Sequence, residues 1–367
     1  MTISRPPAQW SNLEPLESLP YPVYFVCKDV ERWQDLIESE SLPTDVSPLY
    51  ERCLSVRDIW SAQSYISLKR LGLNVYLVPD YVPGKICIVP YDDLVSSDRA
   101  FNSYVVACRY DRGRPEICEQ RLVINTLNVI DKTDHYVPHW PQPNLIPRHS
   151  DRGTQVENLV FKGMERNLAA PFKTLQFKEE LSAIGIQFVV TADPSADPTT
   201  RLFQEWTDYT QADVVLAVRN NTQHDLTVKP ALKLINAWFA GCPAILGPEP
   251  AYQAIRQSNL DFIEVRTLKE TIDALQRLKN DPDLYAAMVE NGFQRVKDFT
   301  ANQVAWQWRQ ILAGSIAQDY EQWQQQSFLQ KRLGRPLKFL IRRSRHNRSE
   351  RYHRQNILQG ARLFGEE

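Results

Sequence analysis

Glycine is scarce in this chain of 367 residues, which contains only 13 glycines. This is about half the usual share of roughly 7%, and a protein built on repeated glycine-rich phosphate loops would contain more. Long apolar segments are also missing, since no run approaches the 18 or so residues that a membrane-spanning helix needs. The first ten residues lack the basic start and apolar core of a secretory signal, so we expect none there.

Paired metal ligands are lacking as well. None of the six cysteines belongs to a Cys-x-x-Cys pair, and the six histidines show no ligand spacing. Four of the cysteines fall in apolar segments, which is typical of buried, reduced thiols in a cytoplasmic protein. We therefore expect a cytoplasmic protein that needs no metal.

The length predicts two domains, at about 150 residues each. In residues 1–150, apolar segments predict buried strands at 23–27, 74–78, 85–89, 103–108 and 122–125. A helical repeat of apolar residues covers 56–71, whereas 29–55 show no regular pattern and are predicted to be irregular. Strands and helices of this length indicate a parallel sheet with helices on its faces. The proline-rich segment 137–152 is predicted to be the linker, or an ordered loop beside it.

Residues 151–300 alternate more strictly between the two patterns. Strands are predicted at 158–161, 186–190, 212–218, 243–246 and 262–265, and helices at 170–184, 200–209, 231–240, 250–258, 267–280 and 283–297. Such alternation indicates a doubly wound sheet. The predicted fold is therefore α/β with two Rossmann-like domains, 1–150 and 151–300, and ligands are expected in the cleft between them.

A cluster of basic residues follows the strand predicted at 212–218. Arg219 stands at the carboxyl end of that strand, and Lys229 with the proline after it is predicted to open the next helix. Lys233, four residues later, would share a helix face with Lys229 near an N-terminus that favours anions. We expect a diphosphate site, with Asn236 and Glu249 as partners for sugar hydroxyls. The alternative is that these are ordinary surface and capping residues.

This stretch resembles the C-terminal domain of GT-B fold glycosyltransferases, which use nucleotide-sugar donors. The matching residues are Lys229-Pro230, the run 236–241 that ends in Ala-Gly, Pro243 and Glu249. The run 161–167 resembles the first loop of that donor domain, where a glycine turn and basic residues approach the phosphates.

By this resemblance Lys162, Gly163 and Arg166 are donor contacts. The chain would transfer a sugar from a nucleotide diphosphate sugar to a hydroxyl acceptor, without a metal. Many retaining members carry two glutamates separated by seven residues, but here Asn236 stands at the second position and Val228 at the first. An inverting enzyme, a non-catalytic sugar-binding or scaffold protein, and a nucleotide-sugar epimerase therefore stay open.

Two residues of the first domain are candidates for a general base. Asp111 follows the strand predicted at 103–108, although it could instead pair with a neighbouring arginine. His139 lies in the proline-rich segment and has a suitable unperturbed pKa, although it could simply be packed.

The end of the chain is strongly basic. Residues 331–365 contain eleven Lys or Arg and one acidic residue, whereas the whole chain has a net charge of −1. The resemblance implies that a helix at 301–330 crosses back to the first domain, before a basic tail at 331–367. Apolar residues interleave with basic ones there, so contact with an anionic membrane surface through 335–362 is open. Nucleic acid is not expected, because the body is acidic and carries no binding motif.

Overall fold

The computed structural model describes residues 15–39, 41–190 and 206–364, which form two compact units. Residues 15–140 and 301–359 make up one unit, called the N-unit here. The remaining described residues, including 360–364, make up the C-unit. The expectation for the first ten residues and most of the helix predicted at 200–209 lie outside the described residues.

The N-unit contains a six-stranded sheet whose pairings are all parallel. Its strands are β1 Val23–Val26, β2 Val75–Val78, β3 Ile86–Pro90, β4 Tyr104–Arg109, β5 Gln120–Val123 and β6 Asp134–Tyr136, in the order β2-β1-β3-β4-β5-β6. Every residue of β3 and β4 is buried, as expected for parallel strands that are covered on both faces.

Helices of the N-unit come from both ends of the chain. They are Val30–Glu38, Ser47–Glu51, Val56–Asp58, Ser64–Lys69, Ala301–Ile311, Ala317–Gln324 and Arg335–Gln359, with π-helical turns at Ile59–Gln63, Leu312–Ile316 and Gln330–Gly334. The prediction of an irregular segment at 29–55 was wrong. Helix Val30–Glu38 buries only Trp33 and Leu36, so its apolar repeat is too sparse to detect.

The long helix Arg335–Gln359 packs along the N-unit by one of its faces. Phe339 enters the core and lies edge-on to Phe101, with ring centroids 5.7 Å apart. Arg342 donates to Glu119 at 2.5 Å, and His346 and His353 are buried on the same face. The basic segment is therefore docked on its own unit over this face.

The C-unit contains a five-stranded parallel sheet in the order β11-β10-β9-β7-β8. Its strands are β7 Asn158–Phe161, β8 Gln187–Val190, β9 Val214–Ala217, β10 Ala244–Leu246 and β11 Ile263–Glu264. Its helices are Leu175–Ala183, Gln223–Val228, Leu232–Ala240, Pro250–Ile255, Leu268–Asn280 and Pro282–Arg295. The α/β class and the pair of Rossmann-like sheets are thus confirmed, with a helical C-terminal region.

A buried ion pair ties the proline-rich segment to the C-unit sheet. Asp213, just before β9, is fully buried and accepts hydrogen bonds from Arg148 at 2.8 Å and from Arg152 at 2.7 Å. Two backbone N–H groups at the start of β7, those of Glu157 and Asn158, also donate to it. Every oxygen of this carboxylate therefore has partners, as a buried charge requires.

Across the described part of the chain, no helix has the length and apolar character needed to cross a membrane.

Candidate functional site

The switch point of the C-unit sheet gathers the basic residues that the sequence singles out. Strand order reverses between β7 and β9, and ligands of open α/β sheets bind beyond the carboxyl ends of the strands at such points. Lys162 and Gly163 follow β7, Arg219 follows β9, and Glu249 follows β10. Three neighbouring strands therefore deliver these residues to one edge of the sheet.

Helix Leu232–Ala240 begins at the same edge, and its start differs from the prediction. Lys229 does not open it; this residue ends the preceding helix, Gln223–Val228, in an extended conformation. The reason is Pro230, because a residue before proline is pushed out of the helical region. The new helix is capped by Ala231, whose side chain cannot accept a hydrogen bond. Its first N–H groups therefore lack a side-chain cap, which favours an anion there.

Lys233 occupies the first turn of this helix and is the centre of the cluster. Its ammonium group donates to the carbonyl of Lys162 and lies 5.1 Å from the centre of the Phe161 ring. Burial is the main cause that lowers the pKa of Lys233 to about 7. The positive charges of Arg219, Lys229 and Lys162 contribute to this lowering, and Glu249 acts against it. Three like charges around one ammonium group leave an excess of positive potential that an anion would relieve.

Gly163 allows this close approach between the first loop and the helix. A Cβ atom at this position would lie 3.1 Å from Lys233 Nζ and 3.2 Å from the Phe161 ring. Such contacts are tighter than side chains usually adopt, so the ammonium group would have to move. The glycine that the sequence assigns to a phosphate-binding turn thus has a local steric reason to be glycine.

Arg219 and Glu249 form a bidentate ion pair. Arg219 Nε donates to Glu249 Oε1 at 2.8 Å, and its terminal nitrogen donates to the other carboxylate oxygen. Only 10% and 2% of the two side chains are exposed. The pair fixes the plane of the guanidinium group beside Lys233. The sequence predicted that Glu249 holds sugar hydroxyls. In this structure both of its carboxylate oxygens accept hydrogen bonds from Arg219.

The other residues predicted to contact the donor belong to helix Leu232–Ala240 and to the first loop with the turn after it. Asn236, one turn after Lys233, is buried, and its carbonyl oxygen has no hydrogen-bond partner among the described residues. Lys162 lies 5.0 Å from the centre of the Tyr209 ring. Arg166 is exposed in the short turn that follows the first loop. Asn236 thus offers a buried acceptor one turn into the helix, and Arg166 offers an exposed cation after the first loop.

Sequence reasoning missed a contribution from the C-terminus. Residues 360–364 form an antiparallel bridge with the loop 219–223, in which the Leu363 N–H donates to the Asn221 carbonyl at 3.1 Å. The Arg362 guanidinium donates to another carbonyl of that loop at 2.5 Å. Residues 360–364 therefore hold the loop 219–223 in place, and this loop begins with Arg219, the candidate anion ligand that follows β9. A short terminal segment of this kind has no periodic signal in the sequence.

The two predicted bases lie in the N-unit. Asp111 follows β4 and lies 3.3 Å from an Arg112 nitrogen, so it has the ion-pair partner that the sequence offered as the alternative. His139 is buried, its Nδ1 is 2.7 Å from the Trp140 carbonyl oxygen, and the Trp60 ring stands edge-on to it at 5.6 Å. Burial lowers the pKa of His139, which keeps the imidazole neutral.

A further carboxyl group of the N-unit, that of Asp93, has a perturbed pKa that the sequence did not reveal. Asp93 follows β3 and is buried, with Arg57 at 3.4 Å. Burial raises the pKa of Asp93 to about 6, although Arg57 acts in the opposite direction. A carboxyl group with a pKa near neutrality at the end of a parallel strand is suited to proton transfer. In the sequence, Asp93 was recognisable only as one of two adjacent acidic residues after a predicted strand.

The described residues contain no group of three or more His, Cys, Asp or Glu side chains arranged to hold a metal ion.

Comparison with known proteins gives relatives by structure alone. The sequence matches no protein-family model and is not detectably similar to any curated protein. The structure is similar to sucrose-phosphate synthase from Thermosynechococcus elongatus, with a TM-score of 0.50 and 12% identity over 83% of this chain and 99% of that one.

Two further solved structures are similar at lower scores. AviGT4, a glycosyltransferase involved in avilamycin A biosynthesis, has a TM-score of 0.47 and 15% identity, over 80% of this chain and 99% of that one. HepE of Anabaena in complex with UDP has a TM-score of 0.45 and 8% identity, over 84% and 100%. The similarity to sucrose-phosphate synthase, together with the two parallel sheets, shows a GT-B-like fold of two Rossmann-like units, as the sequence predicted.

Proposed function

We propose that this protein is a glycosyltransferase that binds a nucleotide diphosphate sugar in the C-unit and transfers the sugar to a hydroxyl acceptor. The observation that carries the proposal is the cationic cluster at the β7/β9 switch point. Lys233, the uncapped helix start and the fixed Arg219 guanidinium meet there at one sheet edge. Lys162 and Lys229 add to the positive potential that Lys233 experiences.

These groups suit the departure of a nucleoside diphosphate. As the bond between the anomeric carbon and the diphosphate breaks, negative charge grows on the leaving oxygen. Lys233 would donate to that oxygen, and the helix N–H groups would stabilise the phosphate beside it. Cationic side chains would thus supply the charge that a divalent metal supplies elsewhere, and full activity in the presence of a chelator is expected.

The acceptor hydroxyl must lose a proton in the transfer. The N-unit offers Asp111, His139 and Asp93 for this role. We place Asp93 first, because its pKa near 6 leaves it mostly ionised at neutral pH yet basic enough to take a proton. A pH–rate profile that loses its acidic limb in Asp93→Asn, but keeps it in Asp111→Asn and His139→Gln, would support this order.

The direct test is binding and turnover with defined nucleotides. UDP, GDP and ADP, and then their sugar derivatives, would be titrated calorimetrically into the full chain, followed by assays for release of free sugar or nucleoside diphosphate. We expect one nucleoside diphosphate to bind and Arg219→Ala to weaken it by about 1–3 kcal/mol, the range for hydrogen bonds to charged groups. The site would be refuted if the wild type bound all three nucleoside diphosphates equally and Arg219→Ala bound them as tightly as the wild type.

One observation favours a second function, that of a non-catalytic protein that binds a nucleotide sugar. Asn236 and Val228 stand where many retaining members of the resembled family carry glutamates. Tight nucleotide-sugar binding without any turnover, with or without added hydroxyl acceptors, would identify such a protein. Conversion of the donor to its epimer without an acceptor would instead identify an epimerase.

A further inference from the structure

A band of exposed apolar side chains runs along the C-terminal helical segment. Its members are 50–70% exposed: Phe328, Leu329, Leu333, Leu337, Leu340 and Ile341. From Leu333 onward the spacings are four, three and one residues, which place the side chains on one helix face. Phe339, on another face, is the residue that enters the N-unit core. The helix is therefore docked by one side and presents the apolar band to solvent on another.

Positive charges border the apolar band. The sequence contains no Asp or Glu from 328 to 349. Two of the basic residues in 328–349 make contacts on the docked side of the helix. Arg342 pairs with Glu119, and Arg335 lies 3.4 Å from the centre of the Trp323 ring. The other six basic residues of this stretch are exposed: Lys331, Arg332, Lys338, Arg343, Arg345 and Arg348. The segment thus combines exposed apolar side chains, which share one helix face from Leu333 onward, with a rim that carries only basic charges.

We propose that the apolar band and its cationic rim bind the surface of a lipid bilayer that contains anionic phospholipids. Scattered exposed leucines are ordinary, but a contiguous stripe rimmed by charge marks an interaction surface. Leucine and phenylalanine side chains would enter the boundary between headgroups and acyl chains. The long Lys and Arg side chains would reach the lipid phosphates. The helix would lie in the plane of the surface, and this attachment is independent of the proposed glycosyl transfer.

Charge complementarity selects this occupant over two others. A second copy of the chain, related by a twofold axis, would bring the same cationic rims together, and like charges repel. A nucleic acid would satisfy the rim through its phosphates, but it offers no acyl surface to cover the six apolar side chains of the band. Only an anionic bilayer supplies both a negative surface and an apolar layer beneath it.

The segment that the structure favours for membrane binding starts and ends earlier in the chain than the one expected from the sequence. The sequence left membrane contact open for 335–362. The later part of that range contacts the N-unit by one face, where Ser349 accepts a hydrogen bond from the Arg114 N–H at 2.9 Å and His353 is buried; its exposed apolar residues, Tyr352 and Leu358, are isolated from each other. The exposed apolar residues begin earlier, at Phe328. The proposed membrane surface is therefore 328–348.

Flotation of the full chain with vesicles tests the proposal. Vesicles of phosphatidylcholine, with and without phosphatidylglycerol, would be compared at low and high salt. We expect binding to the mixed vesicles at low salt, little binding to phosphatidylcholine alone, and release as salt screens the charges. Neutralising two rim charges in Lys331→Gln/Lys338→Gln should lower the partition coefficient by roughly 25-fold, at about fivefold for each charge.

Two matched double variants test whether vesicle binding depends on the apolar band or on any exposed apolar residues. Leu333→Ser/Leu337→Ser should lose vesicle binding, whereas Leu127→Ser/Ile130→Ser, exposed on another part of the N-unit, should keep it. Circular dichroism and nucleotide binding should stay unchanged in both, which keeps this test separate from that of the proposed activity.

Three results would overturn the proposal. The first is failure of the wild-type chain to float with anionic vesicles at low salt, and the second is full binding by Leu333→Ser/Leu337→Ser. The third is a concentration-dependent dimer, or RNA binding, that this variant abolishes while vesicle binding persists. The last result would assign the apolar band to a second copy or to nucleic acid.

Discussion

Lys233 should take up a proton when a nucleoside diphosphate binds. Its pKa is about 7 in the free protein, because burial and three neighbouring cations disfavour the ammonium form. A bound diphosphate places negative charge beside the nitrogen and should return the pKa toward the ordinary value near 10.4. At pH 8 only about a tenth of the free protein carries this proton, so binding should take up roughly 0.9 proton per site.

The same linkage fixes the pH dependence of affinity. Because the bound form holds more protons, the association constant should fall as pH rises above 7, by about 50-fold between pH 7 and pH 9. Below pH 6 the free protein is already protonated at Lys233, so this effect should vanish there. A phosphate group has its second pKa near 6, so the ligand itself has no proton to release at pH 8.

Calorimetry in buffers with different ionisation enthalpies measures this uptake directly. Lys233→Met should abolish the uptake at pH 8 and flatten the pH dependence, while Lys269→Met, an exposed lysine of another helix, should change neither. If wild type takes up no proton at pH 8, or if Lys233→Met takes up as much as wild type, the anion does not bind beside Lys233 and the site is misplaced.

Three further predictions concern the C-unit. Gly163→Ala should weaken nucleoside diphosphate binding by about 1 kcal/mol, the value of one hydrogen bond, because the nearby ammonium group must shift away from the new Cβ; calorimetry beside an unchanged melting temperature would show this. Asp213→Asn should lower the free energy of unfolding by about 3–5 kcal/mol in urea titrations, because it leaves two arginines without a buried counter-charge. Burial alone would raise the pKa of Asp213, but its hydrogen bonds prevail and lower it, so this stabilisation should be present at neutral pH and be lost in wild type as pH falls below 3.8. Deletion of 360–367 should speed hydrogen exchange at the Gln223 amide, which donates to a carbonyl of the deleted segment, and protection equal to wild type would contradict the bracing role.

The strands could be predicted from sequence because parallel strands are buried on both faces and read as unbroken apolar runs. The helix end at Gly241 could be predicted for a different reason, since its φ of 71° is one that glycine adopts without strain. Strand β6 could not, because Asp134–Tyr136 carries no apolar run and pairs on one side only, along β5.

The candidate site was predictable in composition but not in geometry. Residue spacing placed Lys229 and Lys233 on one helix, whereas Pro230 divides the segment into two helices. The short helix Gln223–Val228 escaped notice because its signal is a capping box, Thr222 with Asp225, rather than an apolar repeat. The pairing of Arg219 with Glu249 depends on two loops that are separated by 30 residues, and no local pattern encodes it.

The order in which the chain is synthesised gives the divided N-unit a folding problem. The sheet of the N-unit leaves the ribosome first, but two contacts of this unit depend on helices made after residues 141–300 of the C-unit. Trp308 of these helices stacks on Trp60, and Asp319 accepts a hydrogen bond from the Tyr104 hydroxyl. At 5–20 residues per second, translation of 141–300 takes roughly ten to thirty seconds. Throughout that time one face of a nascent parallel sheet lacks its covering helices. We therefore expect the newly made chain to depend on chaperones, and a fragment ending at 140 to aggregate rather than fold.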